Sequence, residues 1–242
     1  MDVILPVWPV QGRVHACMTT RLGGVSRPPF ESFNLGDHVG DAAALVAANR
    51  AQLRGILPAE PHWLEQVHGR SVVCADSGVV RAQADAAFSR QPGTVCAVMT
   101  ADCLPVLFCD EAGKVVAAAH AGWRGLASGV LEATVKAMQA PVDRILAWMG
   151  AAIGPQAFEV GDEVRSVFVC DLAASADAFV PGKDAGKWWA DIYLLARLRL
   201  ARIGVDRVYG GGLCTYSDAA RFFSFRRDGV TGRMASLIWL QD

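Results

Sequence analysis

Four closely spaced apolar runs constrain this chain more than any other feature. TVCAVMT (94–100), LPVLFCD (104–110), KVVAAAH (114–120) and RILAWMG (144–150) are seven residues each and almost continuously hydrophobic. Runs of that kind, apolar without alternation, are what strands carry when both faces are buried. The spacing predicts further strands over 14–20, HWLEQVHG (62–69), SVVCAD (71–76), VDRVYGG (205–211) and RMASLIWL (233–240). Helical spacing runs through 42–57, with Asp41 as its cap and Pro58 as its stop. It recurs in LASGVLEATVKAM (126–138), DEVRSVFVCDL (162–172) and WWADIYLLARLRLARIG (188–204). Strands cluster mid-chain and helices are interspersed without strict βαβ alternation. The expected class is therefore α/β (α+β): layered mixed β-sheets flanked by helices.

The 242 residues carry no repeat, low-complexity tract or linker, so one domain spanning 1–242 is the simplest organisation. Net charge is −1 and no lysine- or arginine-rich run occurs, which argues against a nucleic-acid partner. No apolar stretch approaches the roughly 20 residues that cross a bilayer, so no membrane role is expected. MDVILPVWPVQGR begins acidic and is broken by Pro6 and Pro9, unlike a signal peptide. The seven cysteines, an odd number, read as buried thiols of a reducing compartment, and the cytoplasm is the expected location.

Three residues each close a strand-like run just before a turn: His68 in EQVHG, Cys103 in TADCLP and His120 in AAAHAGWRG. Imidazole nitrogen and thiolate sulfur suit Zn²⁺, and three such ligands leave a fourth position open. Their separations, 103 − 68 = 35 and 120 − 103 = 17, are not those of a zinc finger. The alternative is a buried cysteine with two hydrogen-bonded histidines. Cys103 and His120 also suit a nucleophile and its base. Asp102 either orients a ligand histidine or caps the turn before Pro105. Gly122 and Gly125 bracket Trp123–Arg124 ahead of a helix, an arrangement suited to an anion or to a tight turn with a surface arginine. Arg50 and the pair Arg226–Arg227 are further anion candidates. The Gly/Pro-rich loop RLGGVSRPPFESFNLG (21–36) is too long for a simple connector, and Asn34 in it offers both donor and acceptor to a pocket.

TTRLGGVS, FNLGDHVGD, ANR, QVHG, TADCLPVLF, HAGWRG, AAIGP, FEVG, Cys214–Thr215 and FFSFRRDGVTGRM occur here in that order, from about residue 18 to the C-terminus. Together they resemble the laccase-domain, or YfiH-like, family, also described as purine nucleoside phosphorylases. The resemblance implies a layered α/β fold distantly similar to cysteine-hydrolase-like domains. It implies metal binding by His68, Cys103 and His120, with zinc the expected metal and copper the alternative. It also implies a role for Arg50 in holding phosphate or nucleoside, while Asn34 and Arg124 are substrate-binding candidates on the loop and glycine-bracket readings above.

The resemblance also implies the activity: phosphorolysis of adenosine, inosine, guanosine and methylthioadenosine, with adenosine deamination at the same metal, so that the partners are a small-molecule nucleoside and phosphate. Three rivals stand beside it. One is a Cys103-dependent hydrolase that edits peptidoglycan precursors, another a copper-dependent polyphenol oxidase, the third a non-catalytic protein stapled by zinc. Five histidines are few for the copper cluster of a true multicopper oxidase.

Overall fold

A computed structural model describes residues 1–10 and 12–242 of the chain. Its centre is a six-stranded mixed sheet in the order β12-β8-β6-β7-β4-β3. The strands are β3 (Val72–Cys74), β4 (Ala86–Ser89), β6 (Leu104–Asp110), β7 (Val116–Ala121), β8 (Ile145–Met149) and β12 (Arg207–Gly210). The inner pairs β8/β6, β6/β7 and β7/β4 are antiparallel, and the outer pairs β12/β8 and β3/β4 are parallel. A second, antiparallel sheet stacks on it in the order β1 (Val3–Ile4), β2 (Val14–Thr19), β13 (Met234–Leu240) and β5 (Val95–Thr100).

The alternation of side chains along β6 shows why its sequence is apolar throughout. Leu104, Val106 and Phe108 pack with α3 (Val130–Met138) and α5 (Ile192–Arg202) on one face. Leu107 and Cys109 point the other way, onto Met18, Val98 and Ile238 of the second sheet. The far face of that second sheet is covered in turn by Leu53 of α1 (Ala43–Arg54) and by Phe33 and Leu35. Four layers result: helices, sheet, sheet, then a helix with its loop. This is the mixed, helix-flanked layering the sequence predicts.

Several boundaries differ from expectation. HWLEQVHG (62–69) forms no strand, only isolated bridges at His62 and Glu65. Gln66 replaces the ladder with its side chain, accepting from Met99 N at 2.7 Å and donating to Met99 O at 2.8 Å. Residues 126–138 do not form one helix. Gly129, at φ +91°, separates α2 (Trp123–Ser128) from α3.

Trp188 and Trp189 lie in β11 (Lys187–Ala190), which joins β9 (Glu159–Gly161) and β10 (Phe179–Pro181) in a small antiparallel sheet. Asp191 then caps α5, accepting from Tyr193 N at 2.9 Å and Leu194 N at 3.0 Å. The helix read as DEVRSVFVCDL is α4 (Asp162–Asp171), and a last short helix, α6 (Phe225–Asp228), lies within the FFSFRRDG segment.

Asp41 does not cap α1, whose N-cap is Ala42 without a side-chain bond. The Asp41 carboxylate instead accepts from Ser26 Oγ and Asn34 Nδ2. With Asn49, which bonds the carbonyls of Ser32 and Asn34 and the amide of Val25, it fixes the 21–36 loop. Among the described residues no helix is long and apolar enough to cross a membrane.

Candidate metal centre

Strand order brings distant residues together. β7 pairs with β6 on one edge and β4 on the other, so His120 near the end of β7 lies beside Cys103 at the start of β6. Segment 62–69, pinned to β5 by Gln66, delivers His68 to the same place with a left-handed φ of 59°. The Nδ1 or Nε2 and Sγ atoms of His68, Cys103 and His120 all lie within 4.8 Å of one another. Cys103 Sγ is 3.9 Å from His68 Nε2, and the two imidazoles meet edge to face with centroids 4.8 Å apart.

Asp85, just before β4 and fully buried, organises this group. Its Oδ1 lies 2.8 Å from His120 Nδ1, which leaves Nε2 of that ring turned to the cluster. The same carboxylate accepts from the amides of His68 at 2.9 Å and Gly69 at 2.6 Å, while its backbone oxygen takes His120 N at 2.7 Å. Burial raises the Asp85 pKa, but the contact with His120 and the amides of Gly69 and His68 outweigh it and leave the carboxyl below its ordinary value.

The glycines of HAGWRG serve packing. A Cβ on Gly122 would stand 2.9 Å from both Cys103 Sγ and His68 Cδ2, and one on Gly125 would stand 2.8 Å from Gly69 O.

Electrostatics favour the thiolate form of Cys103. Burial pushes Cys103 up, yet the His120 imidazolium and hydrogen bonds from both histidines prevail and bring it down to about 6. Burial opposes charge on His120, but the Cys103 thiolate and Asp85 lift it to about 9. The buried thiols Cys17 and Cys109, with no such partner, are pushed up to about 12.

The donor set fits zinc. Tetrahedral zinc with Zn–N of about 2.0–2.1 Å and Zn–S of about 2.3 Å sets N and S roughly 3.6 Å apart, close to the 3.9 Å between Cys103 and His68. A carboxylate on the far nitrogen of a ligand histidine is the usual support for such a site.

The three donors open on a cavity of about 450 Å³, within the range of small-molecule sites, about 300–1,000 Å³. Its wall includes Leu64, Met99, Phe225, Asp37, His38, Arg81 and Arg233.

The other expected site residues sit elsewhere. Asn34 is fully buried and absent from the wall. Its amide nitrogen donates to Gly36 O and Asp41, and its oxygen accepts from Gly36 N and Arg233 N, so no side-chain polar atom is left for a substrate. The loop 21–36 stops short of the cavity, whose wall begins at Asp37.

Arg50 is neither solvated nor on the wall: Nε and Nη2 both donate to Leu35 O, and the guanidinium lies 4.4 Å over Trp63. It faces Asp37 at 3.5 Å and so stands behind a wall residue. Arg124 is exposed, stacked 4.4 Å over Trp123 and off the wall.

Arg227 is committed to Asp228 and to the carbonyls of Thr215, Tyr216 and Phe222. Asp102 orients no histidine; at φ +93° its carboxylate takes Thr215 Oγ1 and Arg226 N, tying the β5–β6 turn to the C-terminal segment. The sequence signal for Asp85 was a lone carboxylate in the apolar stretch ADAAF, and that for Arg233 was its place in the FFSFRRDGVTGRM motif.

The family described as multi-copper polyphenol oxidoreductase laccase matches residues 15–241. A purine nucleoside phosphorylase of Pseudomonas aeruginosa is 58% identical over 240 residues, covering 99% of this chain and 98% of its own. The Escherichia coli purine nucleoside phosphorylase YfiH is 56% identical over 241 residues, covering 98% of each. Among solved structures, a Neisseria meningitidis protein superposes with a TM-score of 0.95 at 49% identity, over 100% of both chains. Bacillus licheniformis YfiH, described as hypothetical, gives 0.88 at 31% identity over 94% of this chain and 93% of its own. With its motifs in order and near-complete matches on both sequence and fold, the chain belongs to the laccase-domain family of YfiH-like proteins.

Proposed function

We propose that this chain is a metal-dependent purine nucleoside phosphorylase, acting on adenosine, inosine, guanosine and methylthioadenosine, with His68, Cys103 and His120 as the metal ligands and zinc as the metal. The observation that carries the reading is the three-donor group opening on a cavity of about 450 Å³. A purely structural zinc needs all four positions filled by protein, whereas three ligands beside a cavity are the catalytic arrangement. The names of the Pseudomonas and Escherichia relatives supply the substrate class.

When bound, the metal would be held by His68, Cys103 and His120 and would supply a Lewis acid. The chain's own residues do the rest. Asp85 holds the proton on His120 Nδ1, which keeps Nε2 as the donor. Phe225 presents an exposed ring on the wall, a face on which a purine stacks, and Leu64 and Met99 add apolar surface.

In the reaction a phosphate oxygen bonds to ribose C1′ as the bond from C1′ to the purine nitrogen breaks. The bonding pair leaves with the purine, which takes up the proton of hydrogen phosphate. Deamination of adenosine would join a water oxygen to purine C6 and release the 6-amino group as ammonia, leaving inosine; His68, Cys103 and His120 would hold the metal that supplies Lewis acidity for it.

A second reading has one specific observation in its favour. Cys103, His120 and Asp85 form a chain of nucleophile, base and orienting carboxylate. Copper-dependent phenol oxidation has less support: among the described residues there is one three-donor group.

The deciding experiment incubates the protein with the nucleoside panel, with and without phosphate, before and after chelation. Free base and ribose-1-phosphate that depend on both phosphate and metal support the phosphorylase. Activity on amides that survives chelation and dies on alkylation of Cys103 sinks it in favour of the hydrolase.

A further inference from the structure

We propose that Arg233 holds the phosphate co-substrate through the Nε–Nη2 edge of its guanidinium, positioned for this by Asn34 and Gly36; the assignment rests on the phosphorylase reading of the cavity.

Two arginines, Arg81 and Arg233, line the cavity. Arg81 is exposed and already paired with Asp37 at 3.0 Å. Arg233 is partly buried and has no carboxylate within salt-bridge distance among the described residues. Its Nη1 donates to Thr231 O and Gly232 O, each at 3.0 Å, which sets the plane of the guanidinium.

Nε and Nη2, the pair that grips an oxyanion with two parallel hydrogen bonds, have no protein acceptor among the described residues. The negative groups whose charge reaches Arg233 are Cys103 and Asp102. Asp102 is committed to Thr215 and Arg226, and Cys103 to the metal cluster. A partly buried guanidinium lacking its own counter-ion thus lines the cavity beside the three-donor group, while the wall carboxylate Asp37 is taken up by Arg50 and Arg81. A hydrogen phosphate ion balances that charge.

The surroundings hold this arginine in place. Asn34 Oδ1 accepts from Arg233 N at 2.9 Å, and Leu35 N donates to Arg233 O at 3.2 Å. A Cβ on Gly36 would stand 2.8 Å from Arg233 Cγ, so only glycine leaves room for the stem. The NLG segment thus acts on the ligand through Arg233.

The test titrates inorganic phosphate into metal-loaded protein by calorimetry, for wild type, Arg233→Gln, Arg233→Lys and, as an off-cavity control, Arg124→Ala. Nucleoside turnover is then measured with phosphate varied. Arg233→Gln is expected to weaken phosphate at least about tenfold, equal to about 1.4 kcal/mol, and to raise the phosphate KM alike while nucleoside KM moves little. Arg233→Lys keeps a point charge but loses the fork and is expected to fall between.

Should Arg233→Gln fail to fold, the lysine variant decides. Lysine binding phosphate as tightly as wild type overturns the assignment. So does unchanged phosphate affinity in Arg233→Gln, an equal loss in Arg124→Ala, or no phosphate binding by wild type. Wild type that binds phosphate through Arg233 yet cleaves no nucleoside keeps the assignment and removes the phosphorylase reading instead.

Discussion

Asp85 is a single carboxylate in an apolar stretch, and both histidines of the three-donor group depend on it. Its loss leaves His120 Nδ1 and the amides of His68 and Gly69 without their acceptor. Asp85→Ala is therefore expected to lower zinc affinity by about 10–100-fold, measured by competition with a chromogenic chelator. An affinity equal to wild type would show that Asp85 only packs. Cys103 offers a second residue-level check. With its thiol held near 6 by the two histidines, metal-free protein should react with iodoacetamide at Cys103 at neutral pH. The rate should rise through about pH 6 instead of the ordinary 9, because the thiolate population grows as pH passes the lowered value. Cys17 and Cys109, pushed up to about 12 and buried, should stay unlabelled over the same range. Peptide mass spectrometry reads all three sites, and added zinc should protect Cys103.

The elements around the site end where local chemistry stops them. Asp191 closes β11 and starts α5 within a run that helical spacing alone would make one helix. The two tryptophans before it belong to the small sheet because their backbones pair with β9 and β10. Asp191→Ala removes the acceptor for Tyr193 N and Leu194 N and should cost about 1 kcal/mol. Urea denaturation checks it, with zinc content unchanged because α5 lies on the far side of the central sheet. Gly122 predicts the opposite separation of effects. It has a φ of −61°, which alanine adopts freely, so Gly122→Ala brings no backbone strain. The added methyl meets Cys103 Sγ and His68 Cδ2 at 2.9 Å, and those groups must move. The variant should fold with normal circular dichroism and hold less zinc. Full zinc occupancy would overturn the packing account.

At the scale of the molecule, a metal held by His68, Cys103 and His120 would join three separate segments: the 62–69 loop, the β5–β6 turn and β7. Binding to the folded state alone should add about 2.7 kcal/mol at a free metal concentration 100 times Kd. Chelation should thus lower the melting temperature while the far-ultraviolet spectrum stays constant, since both sheets and their apolar layers persist without the ion. All seven cysteines are unpaired, so a phosphine reductant should leave the melting curve unchanged. The layering was legible in the chain itself, because strands buried on both faces must be apolar throughout and β5, β6, β7 and β8 carry that mark. His68, Cys103 and His120 were legible too, as donors closing strand-like runs within motifs that resemble a known family. The tertiary structure alone decided what surrounds them. Asp85 serves two histidines 17 and 35 residues away, through bonds that exist only once β4 lies beside β7. Asn34 and Arg233 are 199 residues apart and meet because β13 returns to the sheet whose far face the 21–36 loop covers. Periodicity reports which face of an element is buried. Which polar groups that burial brings within 3 Å of each other depends on how the elements pack, and packing set Arg233 on the cavity wall, turned Arg50 to Leu35 O and Trp63, and left Arg124 off the wall.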